Sequence, residues 1–149
     1  MLAVSPRIYL RLVPAPSPTV AEVVGAFEER RTIRGALNHR EHVMIAWHYA
    51  RTRPGAQALA DLARGIQELA LALGKTDLYH ETLTWGWFSL VRERVVRLGA
   101  SATWEEFEAA SPDILSGAAI FDLYDKATLD SPLARRVFLM PARRSPSAE

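Results

Sequence analysis

The sequence predicts an all-α fold, a compact bundle of four main helices with a C-terminal cap of short helices. Three observations predict it. Apolar residues recur at helical spacing through four long segments. Residues that start and stop helices bound those segments. No pair of alternating segments reads as two partnered strands.

Residues 1–18 read as an irregular N-terminal arm. Ile8, Leu10 and Leu12 alternate with Tyr9 and Arg11, the pattern of a short extended stretch. Pro14, Pro16 and Pro18 then forbid a helix before Thr19. Thr19 and Glu22 have the spacing of a capping box, and Val20, Val23, Val24 and Phe27 form the first apolar stripe. That places helix one at about 20–31, with Gly35 closing the segment. Helix two runs over about 39–53 and stops at Pro54-Gly55. Helix three, about 56–73, carries Ala58, Leu59, Leu62, Ile66, Leu69 and Leu73, with Gly74 as its C-terminal cap. Helix four, about 79–98, carries Leu83, Trp87, Leu90, Val91 and Val95 and ends at Gly99. Thr103 with Glu106 is a second capping box, and Ser111-Pro112 and Ser131-Pro132 read as N-caps followed by first-turn prolines. One domain over 19–140 follows, with 141–149 as a polar, disordered tail.

Composition narrows the chemistry. The chain has 149 residues and no cysteine, so disulfides, thiolate metal sites and a cysteine nucleophile are excluded. A net charge of +1 gives no attraction for nucleic acid. No stretch approaches the length of a membrane span, and the first residues lack the pattern of a signal peptide. The expectation is a cytoplasmic protein, a monomer or homodimer, that meets a small-molecule ligand.

Three of the four histidines fall in two short motifs. Asn38-His39-Arg40-Glu41-His42 opens helix two, and Tyr79-His80-Glu81-Thr82 opens helix four. At 100° per residue, His39 and His42 share the inward face with Val43, Ala46, Tyr49 and Ala50. Arg40, Glu41, His48 and Arg51 lie opposite. His80 lies along the stripe that carries Thr84 and Trp87, and Glu81 sits at its edge. If the two helix starts are neighbours, His39, His42, His80 and Glu81 converge as metal ligands. Glu28, near the end of helix one, is a further carboxylate at the margin. Imidazole and carboxylate suit iron or zinc, and three protein ligands leave a position open for chemistry. Without a metal, His80 and Glu81 would serve as a general acid and base near neutral pH. The alternative is a purely structural hydrogen-bond network, because every buried imidazole needs polar partners. HxxH by itself is not the zinc-protease motif.

Other features are plainer. Trp87 reads as core, Trp47 as the edge of an apolar face, and Trp85 as cover for an interface or a terminal segment. Gly86 permits close helix approach. Arg92, Glu93, Arg94 and Arg97 read as a solvated face. Arg135, Arg136, Arg143 and Arg144 make a basic patch too small to imply DNA binding. Asp122 and Asp125 offer oxygen donors by residue type, but their spacing gives little support for a site.

The run from His39 through His42, Trp47 and Tyr49, then Ala58-Leu59 through Gly65-Ile66, then Tyr79-His80-Glu81-Thr82, resembles a group of uncharacterised bacterial helical proteins with an HxxH and a YHET segment in that order. Tyr124 followed by Ser131-Pro132-Leu133-Ala134-Arg135 extends the resemblance, which spans about residues 20–140. It implies the all-helical fold and marks His39, His42, His80 and Glu81, but implies no reaction. The chain departs from that pattern at Asn38, where threonine is expected, and at Asp125-Lys126, where an arginine-rich stretch is expected.

The leading expectation is a small metal-dependent enzyme, oxidative with iron or hydrolytic or lyase-like with zinc. His39, His42, His80 and Glu81 would be its ligands, His80 and Glu81 its catalytic pair. Tyr79, Thr84, Trp87, Tyr49 and Glu28 would shape its pocket. The alternatives are a metal-free His/Glu enzyme of isomerase or cyclase type and a non-catalytic helical binding module. If the bundle dimerises, Trp85 is the candidate contact.

Overall fold

The computed structural model describes residues 16–142. The irregular arm therefore lies outside the described residues except for 16–18, and the polar tail except for 141 and 142. The described residues form helices and no strand. Four main helices come first: α1 (Val20–Glu28), α2 (His39–Thr52), α3 (Gly55–Ala72) and α4 (Glu81–Leu98). Short ones follow: α5 (Trp104–Ala110), α6 (Pro112–Leu115), α7 (Lys126–Asp130) and α8 (Pro132–Arg136). Single 3₁₀ turns at Thr76–Leu78 and Ala119–Asp122 join them.

The starts of the helices are chemically explicit. Thr19, Asn38 and Thr103 each accept the N–H three residues on, while Glu22, Glu41 and Glu106 reach back to the cap's own N–H. Ser131 caps α8 through the Ala134 N–H at 3.2 Å. Ser111 does not cap α6 with its side chain, and its buried hydroxyl has no partner among the described residues. Helix α1 is shorter than expected. Arg30 turns left-handed at φ 57°, and the Arg31 N–H bonds back to the Ala26 carbonyl at 2.8 Å. Helix α4 begins two residues later than expected, because the side chain of His80 stands outside the helix as its cap.

Helix α2 is the axis of the molecule. It packs against α1, α3, α4 and α6. Burial therefore reaches beyond the expected inward face, and Glu41, expected to face water, is 3% exposed. Its Oε2 accepts the Asn38 N–H at 3.0 Å, which bends the side chain along the helix end and into the interior. Phe27, Met44, Ile45, Val43 and Val91 are fully buried at the centre. Phe27 closes on α3 at Gly65, where a Cβ would come within 2.4 Å of its ring. Trp47 is likewise interior, edge-on to Trp104 at 5.6 Å.

The face of α4 expected to be solvated is partly an inter-helix seam. Arg92 donates to the Ala50 carbonyl at 2.7 Å, and Arg94 pairs with both oxygens of Asp113. Arg97 with Glu93 is an exposed pair. Gly86 lies against the second 3₁₀ turn, where a Cβ would meet Ile120 at 2.9 Å. Trp85 stacks on Phe138 at 4.7 Å, so its ring covers the segment after α8. That segment is held by Thr82, whose hydroxyl donates to the Val137 carbonyl and accepts the Leu139 N–H. No helix among the described residues is long and apolar enough to cross a membrane.

Candidate functional site

A cavity of about 380 Å³ opens between α2, α3 and α4, bordered by Leu37 and by Leu78 and Tyr79 before α4. Helix periodicity builds it. Val43 and Ala46 face it from α2, Leu62 and Ile66 from α3, and Leu83, Trp87, Phe88 and Val91 from α4. Ala46 leaves the space that a larger residue would fill. Its polar side chains are His39, His42, Tyr79, His80 and Thr84, and none of the lining residues is Lys, Arg, Asp or Glu. A smaller cavity of about 180 Å³ adjoins it through Leu37, His42, Ile66, Leu78 and Tyr79, and Lys75 borders that one.

The structure thus brings His39, His42, His80, Tyr79, Thr84 and Trp87 along one cavity. The histidines differ in what they have left to offer. His80 is buried, with both ring nitrogens engaged. Nε2–H donates to the Leu129 carbonyl at 2.8 Å, and Nδ1 accepts the Leu83 N–H at 3.1 Å. A carbonyl can only accept and an N–H can only donate, so this ring is the neutral Nε2–H tautomer with no free lone pair. As folded, it has no ring nitrogen left to ligate a metal. His39 donates Nε2–H to the Ile114 carbonyl at 2.7 Å and packs against Trp87 at 4.7 Å. His42 donates Nδ1–H to the Asn38 carbonyl at 3.0 Å. Burial, more than any neighbour, lowers the His42 pKa from its ordinary value; the Asn38 bond and Glu41 work in the other direction. His42 is therefore a neutral imidazole at pH 7, and its Nε2 has no hydrogen-bond partner among the described residues.

Glu81 does not join the histidines. It sits in the first turn of α4 and accepts the Tyr79 hydroxyl at 2.6 Å. Burial first, then this bond to a carboxylate, pushes the Tyr79 pKa up to about 12, so Tyr79 keeps its proton. Tyr49 and Glu28 lie elsewhere. Tyr49 donates to Glu28 at 3.3 Å, and Arg53 covers the Tyr49 ring at 3.7 Å and pairs with Asp61. Tyr49 and Glu28 do not line the cavity, so the expected pocket set loses both. The four-ligand convergence is not formed either. Among the described residues, no three His, Asp or Glu side chains are placed to hold one ion. Asp125 is used as the N-cap of α7, and Asp122 is exposed.

Helical phase missed the apolar wall from α3, Leu62 and Ile66, as part of the site. The signal was present in that helix's stripe, but only the packing of α3 beside α2 turns a core face into a cavity wall. No family model, no curated protein and no solved structure matches the chain.

Proposed function

We propose that the protein takes a small, mostly apolar molecule into the cavity between α2, α3 and α4, and that His42 acts on it as a metal-free acid–base group. The observation that carries this is the state of His42: neutral through burial, fixed in one tautomer by the Asn38 carbonyl, and with Nε2 unengaged. A neutral imidazole with a bare nitrogen in an apolar cavity is a general base held ready. The cavity's volume falls within the range of about 300–1,000 Å³ usual for small-molecule sites.

The metal-dependent reading draws its remaining support from His39 and His42, each of which keeps one ring nitrogen free of the bonds described. Its difficulty is His80, whose two bonds would both have to break. Elemental mass spectrometry on tag-free protein separates the readings. Near-stoichiometric iron or zinc, lost in a His39→Ala, His42→Ala variant, would replace the metal-free reading.

The functional test is a small-molecule library screened by thermal shift, then by solvent deuterium exchange into each bound compound. Binding should vanish in Ala46→Trp, which fills the cavity. Exchange should vanish in His42→Phe while binding survives. Binding indifferent to Ala46→Trp would rule out the cavity, and exchange indifferent to His42→Phe would rule out the base.

A further inference from the structure

The cavity's polar groups have spent nearly all their hydrogens on the protein itself. His39 gives its Nε2–H to Ile114, His42 its Nδ1–H to Asn38, and His80 its Nε2–H to Leu129. Tyr79 gives its hydroxyl hydrogen to Glu81, and Thr84 donates to the His80 carbonyl at 2.8 Å. What the histidines retain is lone-pair capacity, a ring nitrogen on His42 and one on His39 with no partner among the described residues; the Tyr79 oxygen already faces the side chains of Thr84 and Gln67. The Trp87 indole N–H is the exception among the lining side chains, a donor with no protein partner among the described residues. No cation lines the cavity.

We infer that the ligand is an apolar molecule that presents a hydrogen-bond donor, hydroxyl or amino, toward His42, and that carries no anionic group. This rests on the cavity being a small-molecule site, as proposed above, and adds the class of molecule. A donor pairs with the lone pair that the ligand covers, whereas an acceptor-only ligand covers it and leaves it unmet. An anion would enter a space with one neutral donor and no counter-charge, and would lose its hydration for little return. His42 then receives the donor's hydrogen, which is also the geometry in which it takes a proton.

The test uses three bicyclic probes in calorimetry on the full-length protein and on His42→Leu. Indole offers an N–H donor and benzothiophene has the same shape without it; naphthoate carries a carboxylate. The ratio of indole to benzothiophene affinity should be about tenfold higher in the parent than in His42→Leu, the worth of one well-placed bond. The ratio cancels the difference in hydrophobicity between the probes. Naphthoate should bind most weakly. A ratio unchanged by His42→Leu, or naphthoate binding tightest, would overturn the donor rule. If that binding is still abolished by Ala46→Trp, the small-molecule cavity stands without the rule. None of the probes binding at millimolar concentration would overturn both. Should His42→Leu fail to fold, the ring-nitrogen NMR of His42 in the parent answers the same question. Its Nε2 signal should move with indole and not with benzothiophene; equal response to both counts against the rule.

Discussion

His80 and Leu129 are joined by a buried hydrogen bond of 2.8 Å, imidazole Nε2–H to backbone carbonyl, across 49 residues of sequence. The same imidazole caps α4. One side chain therefore starts a helix of the bundle and fastens the C-terminal cap of short helices to it.

Replacing His80 tests that double role. His80→Ala removes the helix cap and leaves the Leu129 carbonyl short of its donor, so it should destabilise by about 2–4 kcal/mol. Urea unfolding followed by circular dichroism measures it. His80→Asn should retain part of the loss, because an amide caps but is too short to reach Leu129. Equal losses in both variants would place all the energy in the bond to Leu129.

Acid should weaken the fold through His42. Its folded pKa lies below the ordinary histidine value, mainly through burial. The unfolded chain therefore binds the proton more readily than the folded one. Stability contributed by the neutral ring is present above about pH 6.5 and is lost as pH falls from there toward the lowered folded pKa. His48 is shifted the same way, again chiefly by burial, and adds to the slope. Denaturation midpoints between pH 7.5 and pH 5 should fall in the parent and fall less in His42→Leu. An identical slope in the variant would assign the effect elsewhere.

Two glycines in helices should respond in opposite directions. Gly25 has nothing within 4 Å of a built Cβ, so Gly25→Ala should stabilise by about 0.5–1 kcal/mol through the unfolded chain's lost freedom. Gly65→Ala gains the same propensity but drives a methyl into the buried Phe27 ring. It should be net destabilising, by about 1–3 kcal/mol. Adding Phe27→Leu to Gly65→Ala should recover part of the loss, and urea titration of the three variants reads it.

The segment after α8 should come loose when Thr82 loses its hydroxyl. Thr82→Val keeps shape but abolishes both bonds to residues 137 and 139. Two anchors remain, the Tyr124 hydroxyl on the Leu139 carbonyl at 2.7 Å and Trp85 on Phe138. Stability should drop by about 1–3 kcal/mol, and limited proteolysis should cut near Val137 faster than in the parent. Unchanged proteolysis would mean that the two remaining anchors suffice.

Much of the fold was legible in the residues, because the signals were local. Thr19 with Glu22 and Thr103 with Glu106 act over three residues, so spacing alone located these helix starts; the box of Asn38 with Glu41 is of the same local kind but was visible only in the structure. The stripes of α1 to α4 likewise needed only the helical period. Helical phase also sufficed to set His39 and His42 toward the cavity, whereas His80 reaches it from outside α4, as an extended cap to which helical phase does not apply. Phase could not place Glu41, because which elements pack over its side of α2 is set by the tertiary fold, nor show that Tyr49 and Glu28 meet Arg53 away from the cavity. The decisive partners of the imidazoles, Ile114 for His39 and Leu129 for His80, lie 75 and 49 residues away. Sequence by itself determined which segments are helical and which faces are apolar, since both follow from backbone geometry within a few turns. Tertiary structure decided which imidazole is spent and which still has a lone pair to give, since a ring nitrogen's chemistry is set by whatever backbone the fold carries to it.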